Sequence, residues 1–157
     1  MWISRRGIRA SRPQMKVDIS RLRGCDILLV ETTDLVYLGL RGCCNTMDDC
    51  VMDVAKRSRK LKGIDCRKMT DAGVTALSHG CGRCGQPQSI NLRGCTTVTD
   101  ASVTALNHEC GQLQSTNLWR CSEVTDAGVT ALSYGCGQPQ RIRLWGCRKV
   151  TNAGVTA

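Results

Sequence analysis

Along most of this chain short alternating stretches give way to longer stretches with helical spacing, and the pair recurs. "LQSTNLWRC", Leu113 to Cys121, places Thr116 and Leu118 on one side, which predicts a short strand with that face inward. The same pattern reads "LVYLGLRGC" at 35–43, "PQSINLRGC" at 87–95 and "PQRIRLWGC" at 139–147. Proline replaces the first leucine in two copies, which a strand tolerates at its entry, where no ladder hydrogen bond is yet required. After Cys121 comes "SEVTDAGVTALSYGC", in which Val129, Leu132 and Cys136 stand at i, i+3 and i+7 on one helical face. Thr125 is a good N-cap, and Asp126 falls in the first turn, where the helix dipole favours an acid. Thr99, Val103, Leu106 and Cys110 repeat the arrangement, as do Thr70, Val74, Leu77 and either Cys81 or Cys84.

Cys95, Cys121 and Cys147 recur at a constant interval of 26, and so do Cys84, Cys110 and Cys136. A fixed period in the twenties predicts a solenoid, in which one supersecondary unit stacks on the next. Strand, turn, helix and turn within one such period make a right-handed β–α coil, so the predicted class is α/β, with a parallel sheet on one face and helices on the other. Residues 1–16 read as a basic, disordered tail and 17–157 as the solenoid, irregular over 17–66, regular over 67–157 and open at its C-terminal end. The interval from Cys25 to Cys43 is too short for a unit. Cys43 to Cys66 is 23 and Cys66 to Cys95 is 29, which reads as three residues missing near "LKGIDC" and three gained at "CGRC".

The twelve cysteines approach the density of a disulfide scaffold. Their periodic placement argues instead for packing: one closes each strand at a tight turn and the other ends the inner face of each helix. A buried free thiol is a small apolar group with a weak S–H donor, suited to a crowded turn beside unpaired carbonyls. The start of the chain has no apolar h-region, so a secretory signal is not predicted and the compartment is taken as reducing. Cys81-Gly-Arg-Cys84 has C-x-x-C spacing, but a structural zinc site needs four ligands, and an insertion explains the extra Cys81. "GCC" at 42–44 with Cys50 is no better spaced, so neither metal nor cofactor is expected.

Phenylalanine is absent and only five residues are Trp or Tyr, so Leu, Val, Ile, Ala and Cys must build the interior. Of the net charge of +9, five positive groups and no acid lie in residues 1–17, which leaves +4 for the rest. That start reads as a disordered basic tail, with an organelle transit peptide as the alternative. "KRSRKLK" at 56–62 falls where a helix ends and reads as a solvated face, with a nuclear-localisation or nucleic-acid patch as the alternative. No apolar run approaches the roughly 18 residues a membrane span needs.

His79 and His108 occupy equivalent places near helix ends and read as a solvent-side stripe; no phosphate loop or paired carboxylates accompany them, and no enzyme is predicted. The candidate surface is the outward side of the sheet. One column there reads Arg41, Arg93, Trp119, Trp145 and its neighbour Gly39, Asn91, Asn117, Arg143, with Tyr37 and Arg141 on the same strands. Trp, Tyr and Arg are enriched at binding hot spots. The competing readings are that Trp119 and Trp145 merely stack on each other, or that the basic, aromatic face binds nucleic acid.

The strand signature ending in Cys95, Cys121 and Cys147, followed by "VTDAS", "VTDAG" and "VTNAG", resembles the cysteine-containing leucine-rich repeat of F-box/LRR substrate receptors of SCF-type ubiquitin ligases. The resemblance covers about residues 35–157. It implies a protein-interaction module that recognises a ubiquitin-ligase substrate or adaptor, in the cytoplasm or nucleus and away from membranes. Residues 1–34 lack the leucine-and-proline opening of an F-box, and the last unit stops partway through a helix, so the chain reads as a fragment or degenerate copy of a longer receptor.

Overall fold

The computed structural model describes residues 15–18, 35–40, 47–84, 86–135 and 141–156. Strands and helices follow one another as β1 (Met15–Asp18), β2 (Leu35–Leu40), α1 (Met47–Arg57), β3 (Gly63–Cys66), α2 (Asp71–Cys84) and β4 (Ser89–Asn91). The series continues with α3 (Asp100–Glu109), β5 (Ser115–Asn117), α4 (Asp126–Gly135), β6 (Arg141–Arg143) and α5 (Asn152–Thr156). The six strands form one sheet in chain order, with every neighbouring pair parallel. Each helix from α1 onward packs on the next. The protein is thus α/β, with a single parallel sheet and alternating strands and helices. β1 starts at Met15, just inside the stretch read as a tail; the rest of that tail lies outside the described residues, as do Cys25, Arg41, Cys43, Cys44 and Cys136. No helix among the described residues is long and apolar enough to cross a membrane.

Tyr37, Gly63, Ser89, Ser115 and Arg141 are successive Cα partners across the sheet, each one full period after the last. The period therefore runs unbroken through β3, which corrects the expected place of Cys66. Cys66 pairs with Leu40 and is the strand's second inward residue, where later strands carry Leu92 and Leu118. Met69, buried and one period before Cys95, takes the turn position. The uneven cysteine intervals arise because Asp71 follows Asp65 by six residues, whereas Asp100 follows Asn91 by nine. α2, at 14 residues against 10 in α3, restores the register before β4.

The core is a double row of inward strand residues facing helix residues. Leu38, Ile64, Ile90 and Thr116 form one strand row; Leu40, Cys66, Leu92 and Leu118 form the next. Val74, Leu77, Val103, Leu106, Val129 and Leu132 meet them from α2, α3 and α4. Full burial of each large aliphatic side chain contributes about 1.5–3 kcal/mol. Thr116 fills an apolar place as expected, and its Oγ1 is buried with no hydrogen-bond partner.

Past each strand the backbone closes a β-turn in which the cysteine N–H donates to the leucine carbonyl three residues back: Cys95 to Leu92 (3.0 Å), Cys121 to Leu118 (2.9 Å) and Cys147 to Leu144 (3.0 Å). The residue before each cysteine has positive φ: Gly94 at 78°, Arg120 at 60° and Gly146 at 80°. That geometry belongs to a type II turn and favours glycine, so Arg120 carries a steric cost its counterparts avoid. The thiols reach back one unit. Cys95 Sγ donates to the Cys66 carbonyl (3.4 Å), Cys121 Sγ to Leu92 (3.2 Å) and Cys147 Sγ to Leu118 (2.9 Å). These three thiols form no disulfide and are buried, and Cys66 and Cys110 are buried as well. Burial pushes the Cys95 thiol up to about 11 and the Cys121 thiol up to about 12, and raises Cys147 as well.

The "VTD" tripeptides join consecutive units, which extends the simple N-cap expectation. Asp71 accepts the Thr99 N–H (2.7 Å) and Oγ1–H (2.5 Å). Asp100 does the same for Thr125 (2.8 and 2.5 Å), and Asp126 for Thr151 (2.7 and 2.6 Å). Asp48 takes both groups of Thr70. Thr125 Oγ1 also accepts the Ala127 N–H at 3.2 Å and so caps α4, whereas Thr99 makes no side-chain cap bond. Burial pushes the Asp71 carboxyl up, but hydrogen bonds from Ser102 and Thr99 outweigh it and hold Asp71 below the usual range. The approach is close: a Cβ on Gly128 would strike the Asp100 carboxylate, which is why the third residue of "DAG" carries no side chain there.

Candidate protein-binding face

The expected row of Arg93, Trp119 and Trp145 exists, but the turn rather than the strand positions it. Each of the three is the first central residue of its β-turn, following Leu92, Leu118 and Leu144. Parallel stacking continues into these turns, since Gly94 N–H donates to the Trp119 carbonyl (2.7 Å) and Arg120 N–H to that of Trp145 (3.0 Å). The side chains consequently form one stack. The Arg93 guanidinium carbon lies 3.5 Å from the centre of the Trp119 ring. Trp119 and Trp145 meet edge to face, centroids 5.0 Å apart and planes at 88°. Arg120, from the strained turn position, reaches to 5.8 Å from the Trp145 ring centre.

Stacking and exposure therefore divide the two tryptophans. Trp119 is half-buried between Arg93 and Trp145, and its indole Nε1 is buried without a hydrogen-bond partner. Trp145 is 67% exposed. An edge-to-face pair contributes about 0.5–1.5 kcal/mol beyond its buried area, so the contact is structural.

The second row is Gly39, Asp65, Asn91, Asn117 and Arg143. Its asparagines turn back on their own chain: Asn91 Oδ1 accepts the Arg93 N–H (3.1 Å) and Asn117 Oδ1 the Trp119 N–H (3.0 Å). These Asx turns fix the backbone that carries Arg93 and Trp119, so the asparagine oxygens are engaged in positioning. The third row is Tyr37, Gly63, Ser89, Ser115 and Arg141. Tyr37 lies across Gly63, where a Cβ would come within 2.7 Å of its ring, and its hydroxyl donates to Asp65 Oδ2 (3.4 Å). Arg141, Arg143 and Arg120 are exposed. The face thus runs from an anchored end at Tyr37 and Asp65 to an open end at Arg143 and Trp145.

Gly63, Asp65 and Arg67 were missing from the sequence-derived rows. Counting one period on from Tyr37, Gly39 and Arg41 lands on them; the misleading cysteine interval hid the strand. Arg41 itself lies outside the described residues.

Away from this face, His79 and His108 are exposed on α2 and α3, and His108 Nδ1 lies 3.3 Å from Glu109. The basic run at 56–62 ends α1 and enters the following turn, with Lys56, Arg57, Arg59, Lys60 and Lys62 exposed and Ser58 and Leu61 buried. That is the arrangement of a solvated helix end. Among the described residues no three His, Cys, Asp or Glu side chains gather as metal ligands would; the side chains of Cys50, Cys81 and Cys84 lie outside that description. Neither a protein-family model nor a curated protein matches the chain.

Proposed function

We propose that this chain is a right-handed, cysteine-containing leucine-rich-repeat solenoid and that its outward sheet face recognises a protein partner, with no catalysis of its own. The unbroken periodic register, the parallel order of strands and the thiol-to-carbonyl link between units support the repeat reading. The observation that carries the binding reading is Trp145, a large aromatic side chain left 67% exposed beside three exposed arginines. Such residues make interface hot spots once desolvated. In the setting that the repeat resemblance implies, the partner is a substrate or adaptor of an SCF-type ubiquitin ligase, met in the cytoplasm or nucleus.

Affinity capture from cell lysate, followed by titration of the purified partner, tests this reading. Trp119→Ala combined with Trp145→Ala is expected to weaken binding at least tenfold, about 1.4 kcal/mol. Changing His79 and His108 on the helix side is expected to leave it unaltered. Circular dichroism must show each variant folded, because Trp119 also packs. Full-strength binding by a folded double variant would place recognition elsewhere. A second reading, nucleic-acid binding, is favoured by the arginines around an aromatic ring; it predicts affinity for arbitrary RNA or DNA that falls steeply with salt.

A further inference from the structure

Over 86–95, 112–121 and 141–147, the strands β4 to β6 with their entries and turns, the chain contains Arg93, Arg120, Arg141 and Arg143 and not one Asp or Glu. None of the ion pairs among the described residues involves these four arginines. Two other exposed cations are partnered, Arg57 by Asp53 at 3.3 Å and Lys149 by Glu123 at 2.6 Å. Among the described residues the open end of the face is therefore a cationic patch without internal neutralisation.

The patch has a spacing. Arg141, Arg143 and Trp145 are alternate residues, all exposed, while Ile142 and Leu144 between them pack against the core. Alternate residues of a strand lie roughly 7 Å apart, so Arg141 and Arg143 of β6 stand at the repeat of an extended peptide, with Trp145 at the turn that follows. Guanidinium groups recognise carboxylates in a bidentate manner, and Trp145 offers an apolar surface at the end of the row. Resting on the interaction-module reading, we infer that the occupant is an extended acidic segment of a protein, with two carboxylates at alternate positions on Arg141 and Arg143 and an apolar side chain on Trp145.

A nucleic acid fits the same charges less well. Binding a single strand uses successive open rings for successive bases. Here Trp119 is covered by Arg93 at 3.5 Å and by Trp145, which leaves Trp145 as the exposed tryptophan of the stack.

The test uses the full chain and a fluorescein-labelled peptide of alternating Glu and Ser that ends in Leu, beside the same peptide with Gln for Glu and a labelled oligothymidine strand, at physiological salt. The Glu peptide is expected to bind at least tenfold tighter than the Gln peptide. Arg141→Gln with Arg143→Gln is expected to erase that preference, and Trp145→Ala to weaken the Glu peptide while its advantage over the Gln peptide persists. Equal affinity for the two peptides, or no binding of the Glu peptide, overturns the acidic-segment inference. A captured partner that still depends on Trp119 and Trp145 would leave the interaction-module reading standing in that case. Tighter binding of oligothymidine than of the Glu peptide overturns the inference in favour of nucleic acid.

Discussion

Trp119 and Cys121 lie two residues apart in one turn and belong to columns that behave in opposite ways. Across three units the inner column repeats one side chain, Cys95, Cys121 and Cys147, while the outer column changes from Arg93 to Trp119 and Trp145. The inner group meets the same neighbour every time, a carbonyl of the preceding unit at 2.9–3.4 Å. The outer group meets its own column-mates and solvent, so any side chain that stacks on its predecessor is acceptable there. Uniformity marks the positions that join units, and variation marks the surface on which recognition is proposed.

The inner side should answer mutation most strongly. Leu106 on α3 and Leu118 beyond β5 are fully buried. Replacing either by Ala is expected to cost about 2–5 kcal/mol in denaturant unfolding. A negligible effect at both would mean that inner and outer sides have been assigned wrongly. Thr116→Val is expected to run the other way. It removes a buried hydroxyl without a partner and keeps the shape, so it should stabilise by about 1 kcal/mol. A loss of stability would show that the hydroxyl is satisfied in solution.

The outer side should answer least. Trp145→Ala is expected to change stability by about 0.5 kcal/mol, since the exposed ring forfeits one edge-to-face contact and little buried area. A cost as large as that of Leu118→Ala would make Trp145 a packing residue and remove the contrast between the columns.

The repeating parts of this architecture were legible because they recur. Strand faces, inward Thr116, the helical stripe of Val103 and Leu106, and the solvated run at 56–62 all follow from local pattern and period. What escaped depends on contacts between units or on compensating changes. Cys66 imitates a turn cysteine because the loop after it is three residues shorter and α2 longer, and interval counting alone does not show which strand position it holds. Thr99 satisfies a local cap pattern, yet its hydroxyl goes to Asp71, 28 residues back. The Asx turns of Asn91 and Asn117 give these candidate binding groups a positioning contact through Oδ1, which residue type alone does not reveal. Arg120 at φ 60° breaks the glycine rule of its turn in exchange for a place beside the Trp145 ring.

Thiol labelling tests the central claim, that the cysteine column is packing and not chemistry. Below pH 9, near the ordinary thiol value of 9.0, Cys95 and Cys121 keep their protons in the fold, and their stabilisation is complete. As pH rises from 9 towards 11 and 12, that stabilisation is lost, because the unfolded chain ionises first. The protein is alkylated without reductant at pH 7 and at stepped alkaline pH, native and then denatured, and each cysteine is read by peptide mass spectrometry. Cys95, Cys121 and Cys147 are predicted to stay unlabelled in the native protein at pH 7, to become accessible as the fold weakens above pH 9, and to label completely on denaturation. Disulfide-linked peptides, or rapid native labelling of this column at pH 7, would contradict the account.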